Sequence, residues 1–413
     1  MAKPKLALIP AAQGTSLYSV LPSSGVGDFT FSRGSSATRI NAQGLIETVA
    51  SGVSRLNYPL IDGVVNGCPS HLLEPNATNL VVYSEDFSDA SWAKQIGGVA
   101  SAPLVTSNYA ISPDGTQNAS RVVFYLNGGT TSSDFSQLQT NITGTTGVDY
   151  ASSVYMKSND SNTYDVTFID VAGTTTIVSV TPQWKRFDLT AALASTNMRI
   201  RTRGSEGSSN VTDISIWGAQ IEEQSYATSY IPTSGSAVTR SAETAIGSGD
   251  ASTFNSSEGV LFAEISAFAN DGTTRSIAIT DGTVNNIITI RYWAFAGDAT
   301  LQCIYVDGAG GTYVNDIFLP NLTDFAKIAL SYQQGALNLY VNGTLERSVA
   351  LVVNDTINWN TLQFNIGNGS QVFYGNVRQI QYYDSALNDS DLETLTSWTS
   401  FTDLANGQQY SIK

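Results

Sequence analysis

Charge, histidine and cysteine are scarce in this chain. Only 13% of its 413 residues are charged, and it holds one histidine, His71, and two cysteines, Cys68 and Cys303. A single histidine rules out Ser-His-Asp and Cys-His nucleophilic machinery unless it is built on His71. Cys68-Pro-Ser-His71 offers two metal ligands where structural zinc takes four, so it reads as an interdomain turn. The two cysteines fall in different predicted domains, which makes reduced thiols the expectation. No apolar run approaches the ~18 residues of a membrane span. The start, Met1 to Pro10, has a short apolar run cut off by Pro10, where a secretory signal needs about 7–15 apolar residues. Synthesis in a cytosol without export is therefore expected. Basic residues are outnumbered, 20 Lys and Arg against 35 Asp and Glu, for a formal charge of −15. That excludes the counterion-displacing face of a nucleic-acid binder and docking on an anionic membrane.

Apolar residues make up 42% of the chain, too many for disorder. With so few charges, Ser, Thr, Asn and Gly must cover the surface, and these favour turns and strand faces. Tyr, Phe, Val, Ile and Thr add a strand-forming bias. The expectation is an all-β protein with under ~10% helix: a small N-terminal unit followed by two β-sandwiches. Residues 1–72 are dense in turn signals and hold only short strand candidates, so they should pack on a partner or a neighbouring domain. Residues 73–237 carry alternating runs such as Tyr150–Lys157 and Tyr164–Asp170, spaced as in a sandwich or jelly roll. Tyr230–Ala237 reads as a linker. Residues 238–398 form the second sandwich, with a hairpin turn at Gln333-Gln334-Gly335 and a short helix near Leu387–Leu395 capped by Ser390 or Asp389. Residues 399–413 read as a tail.

Sugar binding asks for an aromatic plane for stacking, with amides and carboxylates for the hydroxyls. In the first sandwich Trp92 reads as loop-borne, Tyr155 is a further candidate, and Trp184 and Trp217 read as core. In the second, Tyr292, Trp293, Trp359 and Tyr374 lie near strand ends.

Three stretches resemble known families. Phe31-Ser-Arg-Gly-Ser-Ser-Ala-Thr-Arg39, with Gly44-Leu-Ile-Glu47 and Arg55-Leu-Asn-Tyr58, resembles a module of tailed-phage structural proteins. Leu73-Glu-Pro-Asn-Ala-Thr-Asn-Leu80, Tyr83-Ser-Glu-Asp-Phe87, Trp217-Gly-Ala-Gln-Ile-Glu222 and Tyr226–Thr233 resemble the opening and close of a carbohydrate-binding-like jelly roll in such proteins. Ile328–Tyr332, Leu337–Gly343 and Val377–Leu387 resemble the concanavalin-A-like, laminin-G-type lectin sandwich.

The resemblance implies a virion component made in a bacterial host: a fibre, appendage or head decoration that contacts other virion proteins and host surface glycan, and a homo-oligomer by the symmetric habit of such appendages. It places Phe31, Arg33 and Arg39 in the anchoring module. It leaves calcium as the one cofactor to look for, with Asp271, Asp281 and Asp307 as ligands, although each Asp-Gly pair also reads as simple turn chemistry. Enzymes of the concanavalin-like fold place carboxylates on one strand in a Glu-x-Asp-x-x-Glu pattern. Here Glu264-Ile-Ser-Ala-Phe268 has serine at the Asp position and no second Glu, so Glu264 reads as a solvent-face residue and catalysis is not expected. The alternatives are a cement protein that binds no sugar, a polysaccharide-degrading glycosidase, and a bacterial surface adhesin, against which the missing signal sequence counts.

Overall fold

Period-2 runs of β-branched and aromatic residues fold here into stacked antiparallel sheets. The structure, a computed structural model, describes residues 2–9, 16–17, 19–295, 298–308 and 310–398; the expected tail, residues 399–413, lies outside the described residues. The architecture is all-β with two sandwiches, and the one α-helix among the described residues is Asp389–Ser397.

In the first sandwich, one five-stranded sheet runs in the order Ser101–Ala110, Ala119–Tyr125, Val211–Glu222, Asp149–Ser158, Lys185–Ala192. The facing sheet runs Ala93–Gly97, Phe135–Asn141, Asn197–Arg203, Tyr164–Ile169, Thr175–Val180. Val122, Phe124, Val154, Met156, Ile214 and Ile216 meet Leu138, Val166, Phe168, Met198 and Ile200 between them. Alternation in Val211–Glu222 is broken once. Gly218 takes a positive φ of 65°, and the register with Asp149–Ser158 shifts there. This bulge keeps Ile216, Ala219 and Ile221 facing the core and turns Trp217, Gln220 and Glu222 to the other face, where they are also buried.

The second sandwich packs a nine-stranded sheet against a five-stranded one. Leu261, Ala263, Ile265, Ile328 and Leu330 of the larger sheet meet Ile277, Ile279, Ile288, Ile290, Leu301 and Cys303 of the smaller. The helix covers the opposite face of the larger sheet: Leu392 and Leu395 sit on Val260, Phe262 and Tyr340. Its cap is Asn388, whose side chain accepts from the Asp391 amide at 2.9 Å, rather than Ser390 or Asp389.

Residues 1–72 do not stand apart as a unit. Leu6–Leu8 and Ser70–Leu73 both pair with Gly375–Tyr383, so the second sandwich's larger sheet is completed from the other end of the chain. Phe29–Ser32 pairs with Thr244–Ile246, which puts Phe29 and Phe31 in the second core. The hairpin Ala37–Ile40 and Ile46–Val49 instead brings Ile46 against Trp217 and Tyr230 on the outside of the first sandwich. Strands of two to four residues cannot bury enough surface alone, and the sheet edges of the same chain supply the neighbour they need.

The expected linker is likewise packed. Tyr230, Ile231 and Thr233 are buried. Asn79 Nδ2 donates to the Ile231 carbonyl at 2.8 Å, Ser234 bridges to Tyr83, and Val238–Arg240 pairs with Ala77–Asn79. Polar side chains close this segment down by hydrogen-bonding backbone, which composition alone does not reveal.

A buried ion cluster ties these pieces together. Arg33 reaches Glu243 at 2.7 Å, and Arg55 reaches both Glu243 and Glu74, the latter at 2.8 Å. Arg240 reaches Glu74 at 2.8 Å. All five side chains are at most 2% exposed. Burial would raise the Glu74 carboxyl, but Arg240, Arg55 and two hydrogen bonds from Ser229 outweigh it and hold it at about 2.

Candidate functional site

Three of the expected sugar-stacking aromatics are core. Trp92 is 1% exposed, packs on Phe87 with centroids 4.7 Å apart, and donates its indole N–H to the Tyr83 carbonyl at 2.9 Å. Its loop folds inward over the sandwich end. Tyr292 faces inward from its strand and donates to the Ile265 carbonyl at 3.1 Å. Trp359 stands edge-on to Tyr305 and Tyr332 in the second core. None of the three offers a ring to a ligand. The other three are half-buried. Trp293 lies under the Arg291 guanidinium at 4.3 Å. Tyr374 has its hydroxyl held above the usual range by burial and by Glu243. Tyr155 lies edge-to-face on Trp217 at 5.6 Å, with Arg186 over its ring. Tyr155 and Arg39 line one cleft of about 190 Å³ at the junction of the two sandwiches. Of the two tryptophans read as core, Trp217 is buried and Trp184 is half-buried, donating to the Ile111 carbonyl at 3.0 Å.

The anchoring candidates are also engaged within the chain. Phe31 and Arg33 are buried as described above, and Arg39 donates to Glu47 at 2.6 Å. Phe31 and Arg33 are thus closed to another protein. The calcium candidates do not converge. Asp271 is paired with Arg275 at 2.8 Å and accepts from Ser225. Asp281 accepts from Thr283 and Asn286, and Asp307 from the Gly310 amide. Each is followed by a glycine at positive φ, which is turn chemistry. Among the described residues no group of three or more His, Cys, Asp or Glu side chains is placed to hold a metal ion. Glu264 is not a solvent-face residue. It is 6% exposed, and it meets Arg378 at 3.2 Å, Lys327 at 3.8 Å and the Gln379 amide at 2.7 Å. Strand register places Lys327 and Gln379 opposite it and Arg378 at the register shift beside them, so its neighbours are two cations and an amide.

The cleft with the chemistry sought lies elsewhere, at the rim of the first sandwich. It has a volume of about 300 Å³ and is lined by Tyr83, Glu85, Asp86, Ser107, Asn108, Asn118, Thr233 and Ser234. Three elements meet there: the segment leading into the sandwich, the edge strand Ser101–Ala110 with its neighbour, and the connection to the second sandwich. Trp92 holds the Tyr83 carbonyl and Ser234 bridges its backbone, while the Tyr83 ring is half-buried. Glu85 accepts from the Tyr230 hydroxyl at 2.9 Å on one oxygen and from Asn118 Nδ2 at 3.0 Å on the other. Burial raises its carboxyl above the usual range, and Asp114 adds to the rise. Asp86 is exposed, and its Oδ1 accepts from the Ser88 amide and hydroxyl in a tight turn. Asn118 Nδ2 donates to both Glu85 and Asp114, while its Oδ1 is buried with no hydrogen-bond partner. Asn108 sits at a φ of +53° on the edge strand. An aromatic ring beside carboxylate and amide oxygens is the surface a sugar needs. The pair Glu85 and Asp86 is poorly disposed for glycoside hydrolysis, because both Glu85 oxygens are already bonded and neither is free to carry a proton to a leaving group. Only Tyr83-Ser-Glu-Asp-Phe87 and Thr233, at the end of Tyr226–Thr233, fell in motifs visible in the sequence. The partners of the first motif lie some 20 to 150 residues away.

The larger-sheet strands that carry the lectin resemblance belong to a segment that matches a family model. Residues 240–393 match the family model described as the concanavalin A-like lectin/glucanases superfamily. They form a concanavalin-A-like, laminin-G-type sandwich. No curated protein matches the chain. Among solved structures, a leech intramolecular trans-sialidase in complex with 2,7-anhydro-Neu5Ac is 16% identical, over 36% of this chain and 24% of that enzyme, at a TM-score of 0.29. The Ruminococcus gnavus IT-sialidase CBM40 bound to α2,3-sialyllactose is 14% identical over 36% of this chain and 92% of that module, at 0.30. Domain 4 of a GH43 extracellular arabinanase from Geobacillus stearothermophilus, in complex with arabinotriose, is 16% identical over 38% of this chain and 73% of that one, at 0.30. Likeness at this level says nothing about what this chain binds.

Proposed function

We propose that this protein is a non-catalytic, glycan-binding component of a tailed-phage virion, and that its sugar site is the rim cleft around Tyr83. The observation that carries the binding reading is the cleft itself: a half-buried tyrosine ring, two carboxylates and the polar side chains of Ser107, Asn108 and Ser234 line about 300 Å³. The virion assignment, with its fibre, appendage or head-decoration role, its virion partners and its homo-oligomeric display, rests on the resemblance of Phe31–Arg39 and the stretches that follow it. Those stretches converge in space: Arg33, Arg55 and Glu74 enter the ion cluster, and Ser229 bonds it. Their residues therefore have a structural role inside the chain. Attachment to a particle must use other side chains of the N-terminal segment, of which Ile61 and Val64, 58% and 68% exposed, are the most open apolar ones among the described residues.

A shallow site with one stacking ring binds weakly, with a dissociation constant on the order of 0.1–1 mM, and multivalent display makes up the difference. The test is a glycan array probed with the full chain, free and multivalent, alongside Tyr83→Ala. Binding by the multivalent form that Tyr83→Ala removes supports the reading. Silence in both formats favours a cement protein, and release of sugar products favours a glycosidase.

A further inference from the structure

We infer that the rim cleft is a charge filter, taking glycans that are neutral or carry an ammonium group and rejecting those that carry carboxylate or sulfate. This rests on the proposed reading of the cleft as a sugar site and names the class of sugar.

The lining explains the selectivity. Two carboxylates, Glu85 and Asp86, belong to it and no lysine or arginine does. A third carboxylate, Asp114, stands behind Asn118. Lys94, nearby in the chain, bonds the Ser88 carbonyl at 3.2 Å and acts on Asp89 rather than on the lining. An anionic ligand would also need hydrogen-bond donors, and two of the lining residues, Asn118 and Thr233, have theirs committed within the chain. Both Asn118 amide protons go to Glu85 and Asp114 and its Oδ1 is buried, so that residue offers an anion no donor. The Thr233 hydroxyl donates to the Val81 carbonyl, and its amide donates to Ser84. The Tyr230 hydroxyl donates to Glu85. The hydroxyls and amide of Ser107, Asn108 and Ser234 suit sugar hydroxyls, whereas an oxyanion faces two carboxylates with no lysine or arginine in the lining to offset them. The formal charge of −15 adds long-range repulsion of the same sign.

The experiment uses the full chain on an array of matched triplets, each a neutral oligosaccharide, its terminal uronic acid and its 6-amino derivative. The acidic member should bind at least roughly tenfold more weakly than the neutral one, about 1.4 kcal/mol. The gap should close as salt is raised, because screening shortens the reach of the repulsion. It should also narrow in Asp86→Asn, an exposed position whose asparagine can keep the turn with Ser88, and in Glu85→Gln. Equal binding across the triplets, in a signal that Tyr83→Ala abolishes, overturns the filter while leaving the sugar site standing. Binding that survives Tyr83→Ala unchanged, or no binding by any triplet, overturns the sugar site and the filter with it.

Discussion

Lowering the pH from 7 toward 4 isolates one side chain, because the chain has a single histidine. His71 is 1% exposed, on the strand Ser70–Leu73 between Leu56 and Val377. Burial pushes its pKa from 6.5 down to about 4, opposed only by the Ile9 backbone, whose geometry falls short of a full hydrogen bond. The unfolded chain therefore takes up a proton below about 6.5 that the folded chain refuses until about 4. Stability is whole above 6.5 and is lost as pH falls through this window. At about 1.36 kcal/mol per pH unit for one proton, the loss reaches roughly 3 kcal/mol near pH 4. Glu85 and Glu222, raised by burial, act in the opposite sense above 4.5, so the measurement must be a difference. Urea denaturation of wild type and of His71→Leu, each from pH 7 to pH 4, supplies it. The stability gap between the two should move by roughly 3 kcal/mol in favour of the variant as pH falls. A gap that stays constant to within about 0.5 kcal/mol over the window would refute the reasoning.

Glu243→Gln leaves Arg33 buried without a carboxylate and Arg55 with Glu74 alone, and should cost about 3–5 kcal/mol in urea denaturation; a loss under about 1 kcal/mol would show that the cluster is not needed. Glu74, held at about 2, should produce a second and separate loss of stability as pH falls from 4.5, which Glu74→Gln removes from the titration. Gly218→Val puts a branched side chain at a φ of 65°, with a Cβ 3.2 Å from the Tyr155 ring, and should cost roughly 1–3 kcal/mol, read from the denaturation midpoint. Because Asp271 is committed to Arg275, calcium or a chelator should leave the melting temperature unchanged, while Asp271→Asn lowers it under both conditions.

The strands that alternate over six or more residues were legible because one face of each is buried. The Tyr150–Lys157 run lies within the strand Asp149–Ser158, and the turn read at Gln333-Gln334-Gly335 joins Ala326–Gln333 to Ala336–Val341. What was not legible is long-range pairing. Nothing local in Leu6–Leu8 announces a partner at Ile380–Tyr382. Aromatic exposure failed for a related reason: Trp92 and Trp359 lie among turn residues, and only the tertiary fold turns those loops inward. Few charges suggested a surface of uncharged polar groups, yet Arg33, Arg55, Glu74, Arg240 and Glu243 are spent in the interior. The cleft was hidden because its walls come from 83–86, 107–108, 118 and 233–234, and each piece alone reads as a turn or a strand end.

The most direct test of the central claim is a structure of the full chain with the strongest-binding neutral oligosaccharide from the array. The account places a sugar ring against Tyr83, with a hydroxyl within hydrogen-bond distance of the exposed Asp86 carboxylate. Sugar bound on the second sandwich instead, with the Tyr83 cleft empty at saturating ligand, would contradict it.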